Sequence, residues 1–502
     1  MRLLRKIGIF PPRYGPEWGS GGIFGLKYHR ETLYFTLAFE AKAYFLRDDG
    51  EKIYRFELVG SKPGPRSGGD TYNAVETVDE YIYFGGWVHS PASKVSRENG
   101  RTIPFYNKFS HVHSYNTEED EVRLLWQETI RQKEKWTGEV SEIVYDPVND
   151  RLLLARADGH ENLGIYSLER KGGTPKKLSE TPGLKGCILA DYACFDLQER
   201  RVDGEGTKYP PLVVKGFQCL DLETGRWVKK PIKAYPEISV DSHDVLTPVS
   251  GCALSAYHRL FHFVRGGVIV GNPVEEEGEM AFIRLFDFYP SNYSPARTVA
   301  LPVGGGILVP FNAYPEGVLH RDLLSGAEQA RWPSLIVGPS VLLYITPPVA
   351  RVVAVLGARV TSMEKVGDEI LIATNTCPNL YAHDATSVDA GYRMILSFPD
   401  SLLLSRSPPV LFKIKGYLVE DRVWGGIPVY GYREATLKMR VSKENRLTVY
   451  SYDFSLPPDK ADETTYTVKE GVEEVDLTAF KGIVSFKLEK KDARFTAKIY
   501  MQ

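Results

Sequence analysis

The sequence lacks any run of the roughly 18 consecutive apolar residues that a helical membrane span needs, so none is expected. It also lacks a charge excess. Lys plus Arg number 62 against 64 for Asp plus Glu, a formal net charge of −2. A surface given over wholly to nucleic acid or anionic lipid needs a large positive excess, and that class is excluded. Cysteine is scarce: Cys187, Cys194, Cys219, Cys252 and Cys377 are odd in number, scattered, and form no CxxC pair. That spacing writes neither a zinc knuckle nor a disulfide framework. Gln and Met number 6 each among 502 residues while Glu, Lys, Arg, Tyr and Pro are plentiful, which is the composition of a thermophile protein. The N-terminal segment carries Arg2, Arg5 and Lys6 but breaks at Pro11-Pro12 before an apolar stretch develops. No secretory signal is read there, and a cytoplasmic location is the expectation. There is no GxSxG elbow and no cysteine in a recognisable catalytic setting.

What is present is strand pattern. Hydrophobic residues make up 43% and charged residues 25%, as in an ordinary folded protein. Helical spacing is rare, and the short candidate from Glu121 to Lys133 also reads as strand or turn. Period-2 and β-branched or aromatic runs recur throughout, punctuated by 45 Gly and 32 Pro. They form a degenerate repeat: short strand, tight polar turn, apolar strand, longer loop, third strand, polar turn, fourth strand. The opening hairpin is clearest from Glu142 to Leu154, turning at Asp146-Pro147-Val148-Asn149-Asp150. The apolar second strands begin at 33, 81, 152, 212, 268, 307 and 370. Third strands with closing turns include His113 to Asn116, Ile165 to Arg170 and Cys219 to Trp227, the last kelch-like and loosely echoed by Asp322 to Gly326. The mean spacing of about 56 residues exceeds the 40 to 50 of a propeller blade, so loops are inserted. The fold class read from this is all-β: a β-propeller, seven blades, over residues 1–405, then a β-sandwich over 410–502. One or two sandwiches over the whole chain need no repeat of this length. The C-terminal segment alternates at Ala435 to Val441, Leu447 to Tyr452, Ile483 to Leu488 and Phe495 to Tyr500, as half-buried strands do.

In a four-stranded antiparallel blade the loops alternate between the two faces of the disc. On that geometry His89, His111, His113, His160, His243 and His383 crowd toward one face. Imidazoles converging from several blades would hold Fe, Cu or Zn, with His89, His111, His160, His243 and His383 as ligands. Asp158, Asp241, Asp244 and Asp384 would orient them. The plainer reading is a wet channel lined by histidines that satisfy loop carbonyls. His111 and His113, at i and i+2, point the same way on a strand. A basic and aromatic cluster, Lys94, Arg97, Arg101, Tyr106, Lys108 and Phe109, would bind RNA or an anionic ligand on the same face. Ordinary loop charge is its plainer reading, as for Lys62 to Arg66. The run Gly304-Gly305-Gly306 precedes a strand, not a helix, and reads as a blade turn. The acidic run Glu275 to Glu279 reads as a solvated loop tip.

Phe84-Gly85-Gly86-Trp87-Val88-His89, Asn107 to His113 and Asp158 to Tyr166 together resemble a family of uncharacterised archaeal β-propeller proteins, over residues 20 to 400. The resemblance implies a propeller from a thermophilic archaeon and carries no activity or catalytic residue with it. Fold alone does not decide function. The leading expectation is a non-catalytic binding or assembly protein that meets a protein partner or itself through the loop-rich face and the sandwich. The alternatives are a metal-dependent enzyme and an RNA- or ribosome-associated factor.

Overall fold

The computed structural model describes residues 8–10, 22–37, 42–56, 68–70, 73–89, 95–97, 100–102, 108–130, 138–157, 162–200, 212–232, 245–247, 251–288, 295, 298–313, 337–375, 393–416, 422–456 and 461–502. Among the described residues up to Pro399, the strands form seven antiparallel sheets in succession. The first runs Ile23–His29, Thr32–Leu37, Lys42–Leu46, Glu51–Arg55. The second runs Val75–Val78, Tyr81–His89, Lys108–Asn116, Glu121–Ile130, with Gly68–Asp70 also on Tyr81–His89. The third runs Val140–Asp146, Arg151–Ala157, Asn162–Glu169, Lys176–Ser179. The fourth runs Gly186–Leu189, Tyr192–Arg200, Leu212–Asp221, Trp227–Pro231, with Val245–Thr247 added beside Leu212. The fifth is Cys252–Ala256, Arg259–Val264, Gly267–Gly271, Met280–Arg284, and the sixth Leu301–Val303, Gly306–Phe311, Ser340–Thr346, Val349–Leu356. The seventh is Arg359–Val366, Glu369–Asn375, Arg393–Pro399, and its fourth strand comes from the other end of the chain, Ile9–Phe10.

Local chemistry fixes the hairpins. Asn116, Asp146 and Asp221 each end a strand, and each Oδ1 accepts the backbone N–H groups two and three residues on. This is the turn that a short polar side chain stabilises. The first strand of the first sheet touches the first strands of both the second and the seventh sheets, so the series closes on itself as a propeller. Asn73 clasps that closure: its Oδ1 accepts from Gly25 N at 2.7 Å and its Nδ2 donates to Thr361 O at 3.0 Å. Thr361 Oγ1 in turn donates to Ile23 O at 2.6 Å.

Two strand assignments from the sequence are corrected. Leu212 and Val268 begin or sit in third strands; the second strands are Tyr192–Arg200 and Arg259–Val264. Both carry fully buried polar side chains, Asp196, Gln198 and His262, which interrupt the apolar run that marks a second strand elsewhere. The third strand of the sixth sheet is Ser340–Thr346, and the segment from Asp322 to Gly326 lies outside the described residues. The stretch from Glu121 is strand, Glu121–Ile130. Cys194 and Cys219, opposite each other in the register of the fourth sheet, are disulfide-bonded, a pairing that sequence spacing did not reveal.

Beyond Val410 two further four-stranded antiparallel sheets form. One orders Val410–Lys415, Thr496–Met501, Ala435–Val441, Gly471–Asp476; the other Trp424–Pro428, Ile483–Leu488, Asn445–Tyr452, Asp462–Val468. Their inner faces share one apolar core with the fifth and sixth sheets, from Phe261, Phe311 and Val352 to Trp424, Leu447 and Ile499. Backbone bonds stitch the contact: Asp287 N to Gly425 O at 2.7 Å, Phe286 N to Gly426 O at 3.0 Å, and Phe454 N to Pro348 O at 2.9 Å. Gly426 has φ +72°, and a Cβ there would stand 2.5 Å from Arg284 O, so only glycine fits this close approach. Among the described residues, no helix is long and apolar enough to cross a membrane.

Candidate functional site

The histidine strand is Lys108–Asn116, third in its sheet. His111 and His113 share a face, as the spacing requires, but that face is the wall between the first and second sheets and both rings are fully buried. Phe56 stacks on His111 at 4.8 Å between centroids and Phe84 on His113 at 5.4 Å. The two Nδ1 atoms lie 3.0 Å apart, so one ring donates and the other accepts. His113 Nε2 sits 3.2 Å from the Tyr54 hydroxyl. Burial pushes His111 down to about 3 and His113 well below the usual range, the latter further lowered by its neighbour. Both are therefore neutral. The third strand lies two strand spacings, about 10 Å, from the inner edge of its sheet.

His160, His243 and His383 lie outside the described residues, and of His89 only the backbone at the end of Tyr81–His89 is described. Among the described residues no group of three His, Cys, Asp or Glu is placed to hold a metal ion. Lys94 and Tyr106 also lie outside the described residues. Arg97 and Arg101 belong to a short ribbon, Val95–Arg97 against Gly100–Thr102, and Lys108 pairs with His89 through the backbone. Phe109 is wholly buried, a packing group of the core between the first and second sheets.

A different constellation emerges at the inner edges of the sheets. Lys27, Glu76 and Glu364 each stand two residues before the end of a first strand, and Glu142 stands four before the end of another. Lys185 immediately precedes Gly186–Leu189. Five charges thus come from five neighbouring sheets: Lys27, Glu76 and Glu364 lie near the turn ends of their first strands, Glu142 and Lys185 nearer the starts of theirs.

The charges form an arc of contacts. Lys27 Nζ is 3.6 Å from Glu364 Oε2, and Lys185 Nζ is 3.3 Å from Glu142 Oε2. Lys185 Nζ also donates to Ser141 O at 2.6 Å. Glu76 accepts from Thr77 N at 2.9 Å and reaches the third sheet through Tyr145 N at 3.3 Å. Asp196 fixes the segment that carries Lys185, its Oδ1 accepting from Leu184 N at 2.7 Å and Lys185 N at 2.9 Å. The Lys185 side chain is 4% exposed and Glu142 13%, whereas Lys27 keeps 37%, so solvent reaches the centre.

Burial raises all three carboxyls against the pull of the lysines. Glu364 is raised by burial and partly restrained by Lys27. Glu76 is raised by burial, opposed by its backbone bond to Thr77 and by Lys27. Glu142 is pushed up to about 7 by burial, opposed by Lys185 and reinforced by Glu76. Cys187 and Cys252 are neighbours of this arc, and burial raises both thiols, which leaves them protonated and poor nucleophiles. The arrangement presents two lysine side chains and three carboxyls that burial raises, Glu142 to about 7. Sequence reading missed these residues. Their signal is a charged side chain in or just before the first strand of successive sheets.

Comparison with known proteins leaves activity open. No curated protein matches the chain. Among solved structures, a glycoside hydrolase family 43 arabinoxylan arabinofuranohydrolase from Bacillus subtilis superposes with a TM-score of 0.31 at 10% identity, covering 85% of this chain and 94% of that one. Saccharomyces cerevisiae Sqt1 gives 0.37 at 6%, covering 78% and 98%. The aldose sugar dehydrogenase of Streptomyces coelicolor gives 0.31 at 10%, covering 78% and 99%. Overlaps this shallow carry no functional inference. The profile of a family described as an uncharacterised protein conserved in archaea (DUF2139) matches residues 33–383, well over half of the 502. The chain belongs to that archaeal family.

Proposed function

We propose that the protein is a non-catalytic binding protein, a seven-bladed propeller with a C-terminal β-sandwich, that recognises a small polar ligand at the charged inner edge. The loop-rich face and the sandwich serve its partners. One observation carries the reading: Lys27, Glu76, Glu142, Lys185 and Glu364 come from five different sheets and are brought together at the centre. Burying ionised groups is costly, and apolar side chains would close the inner edges more stably. A ligand with both hydrogen-bond donors and acceptors, such as a sugar or amino acid, matches this mixed set. The titration of Glu142 near 7 beside Lys185 favours a second reading, in which Glu142 transfers a proton to a bound substrate. A thermal-shift panel of sugars, amino acids and amines at pH 6 and 8 tests the proposal. Stabilisation by one class, lost in both Glu142→Gln and Lys185→Met, supports it. Stabilisation unchanged in both variants contradicts it, and turnover of the stabilising compound moves the assignment to the second reading.

A further inference from the structure

A second site lies away from the centre, where the sixth sheet meets the C-terminal unit. Thr346 and Val349 flank the turn between the last two strands of that sheet, and Arg351 follows on the outer strand. Opposite stand the segment Leu404 to Ser407 and the turn from Tyr430 to Arg433. Together they wall a groove of about 590 Å³. That is the size of a small-molecule site.

The groove is lined by three arginines, Arg351, Arg406 and Arg433, and by no carboxylate among the described residues. Arg351 Nη1 donates to Ser405 O at 2.9 Å, which fixes its guanidinium. Arg406 and Arg433 are exposed, with no side-chain partner among the described residues. The adjacent acid, Glu434, is taken up by the Gln502 side-chain amide at 2.7 Å. A separate observation points to a ligand. Ser407 is 4% exposed, and its Oγ has no hydrogen-bond partner among the described residues. Leaving such a hydroxyl unsatisfied is unfavourable. Gly431, at φ +88°, is the residue it faces, and a Cβ there would stand 2.9 Å from that oxygen; glycine keeps the approach open. Tyr430 and Leu404, 45% and 85% exposed, add an aromatic and an apolar surface at the rim.

We propose that this groove binds a phosphate monoester whose organic part is aromatic or apolar. A phosphate offers three acceptor oxygens and close to two negative charges, matched to guanidinium forks and one hydroxyl donor, whereas a carboxylate offers two oxygens and one charge. Tyr430 supplies a face for the organic part. The site is independent of the central arc.

Titration calorimetry with phenyl phosphate, inorganic phosphate and benzoate as probes tests this on the full chain. Phenyl phosphate is expected to bind saturably and about tenfold more tightly than either other probe. The Arg406→Gln, Arg433→Gln double variant, altered only at exposed positions, should lose at least about tenfold in phenyl phosphate affinity with an unchanged melting temperature. Tyr430→Ala should remove the advantage of phenyl phosphate over inorganic phosphate and nothing else. No saturation at about 10 mM phenyl phosphate, or equal affinity in the double variant, overturns the proposal. Benzoate binding as tightly as phenyl phosphate overturns the phosphate assignment.

Discussion

Replacing Glu142 by Gln should make the protein more stable above neutrality, although the substitution breaks an ion pair. The carboxyl titrates at about 7 in the folded chain against an ordinary value of 4.5. The folded state therefore holds this proton more tightly than the unfolded chain, and at about 1.36 kcal/mol per decade of proton affinity the difference is about 3 kcal/mol. The sign follows from proton counting. Below the unfolded value both states are protonated and the full stability is present. Between 4.5 and 7 the folded state binds more protons, so stability falls as pH rises; above 7 the loss is complete. Gln resembles the protonated carboxyl, does not titrate, and leaves Lys185 its bond to Ser141 O. The variant should match the native protein near pH 4.5 and exceed it by about 3 kcal/mol near pH 8. Denaturation midpoints of both proteins across that range give the difference, in which contributions from groups remote from Glu142 cancel. Parallel curves, or a variant less stable than the native protein at pH 8, would refute the reasoning: the Lys185 pair would then outweigh burial.

Two other perturbations have worked signs. His111 and His113 titrate below the usual value of 6.5 when folded, so their contribution is present above 6.5 and lost as pH falls toward about 3. Replacing both with Leu should flatten the acid limb of a stability profile; the His–His bond goes with both its partners, and the cost at pH 7 is that of the Tyr54 hydroxyl losing His113 Nε2; an unchanged acid limb would count against the buried pair. Opening the Cys194–Cys219 bridge, which spans 25 residues, should cost about 3 kcal/mol and release two thiols to a colorimetric reagent in the denatured chain. Equal thiol counts before and after reduction would deny the bridge.

The architecture was readable because its cues are local. The Asp146 and Asp221 turns, and the apolar runs they feed, needed only sequence neighbours. The fourth and fifth sheets misled for a physical reason. Asp196, Gln198 and His262 face each other's sheets, with His262 Nε2 3.9 Å from Asp196 Oδ2, and a polar residue buried in this way looks exposed in a linear pattern. The central arc was illegible because it is a product of ring closure. Lys27 and Glu364 are 337 positions apart in sequence yet form a pair, and Glu76 finds its backbone donor at Tyr145. The i, i+2 rule placed His111 and His113 on one face correctly, but burial of that face depends on Phe56 and Phe84 from neighbouring strands. The disulfide likewise depends on register, which sets Cys194 against Cys219.

The account turns on a charged, proton-responsive inner edge, and an infrared titration of the carboxyl region reads it directly. Native protein should show a protonated-carboxyl band that disappears with a midpoint at about 7, and that band should be missing from the difference spectrum of Glu142→Gln. A native protein whose carboxyl bands have all gone by pH 5, or a band with a midpoint at about 7 that is unchanged in the variant, would contradict the central claim.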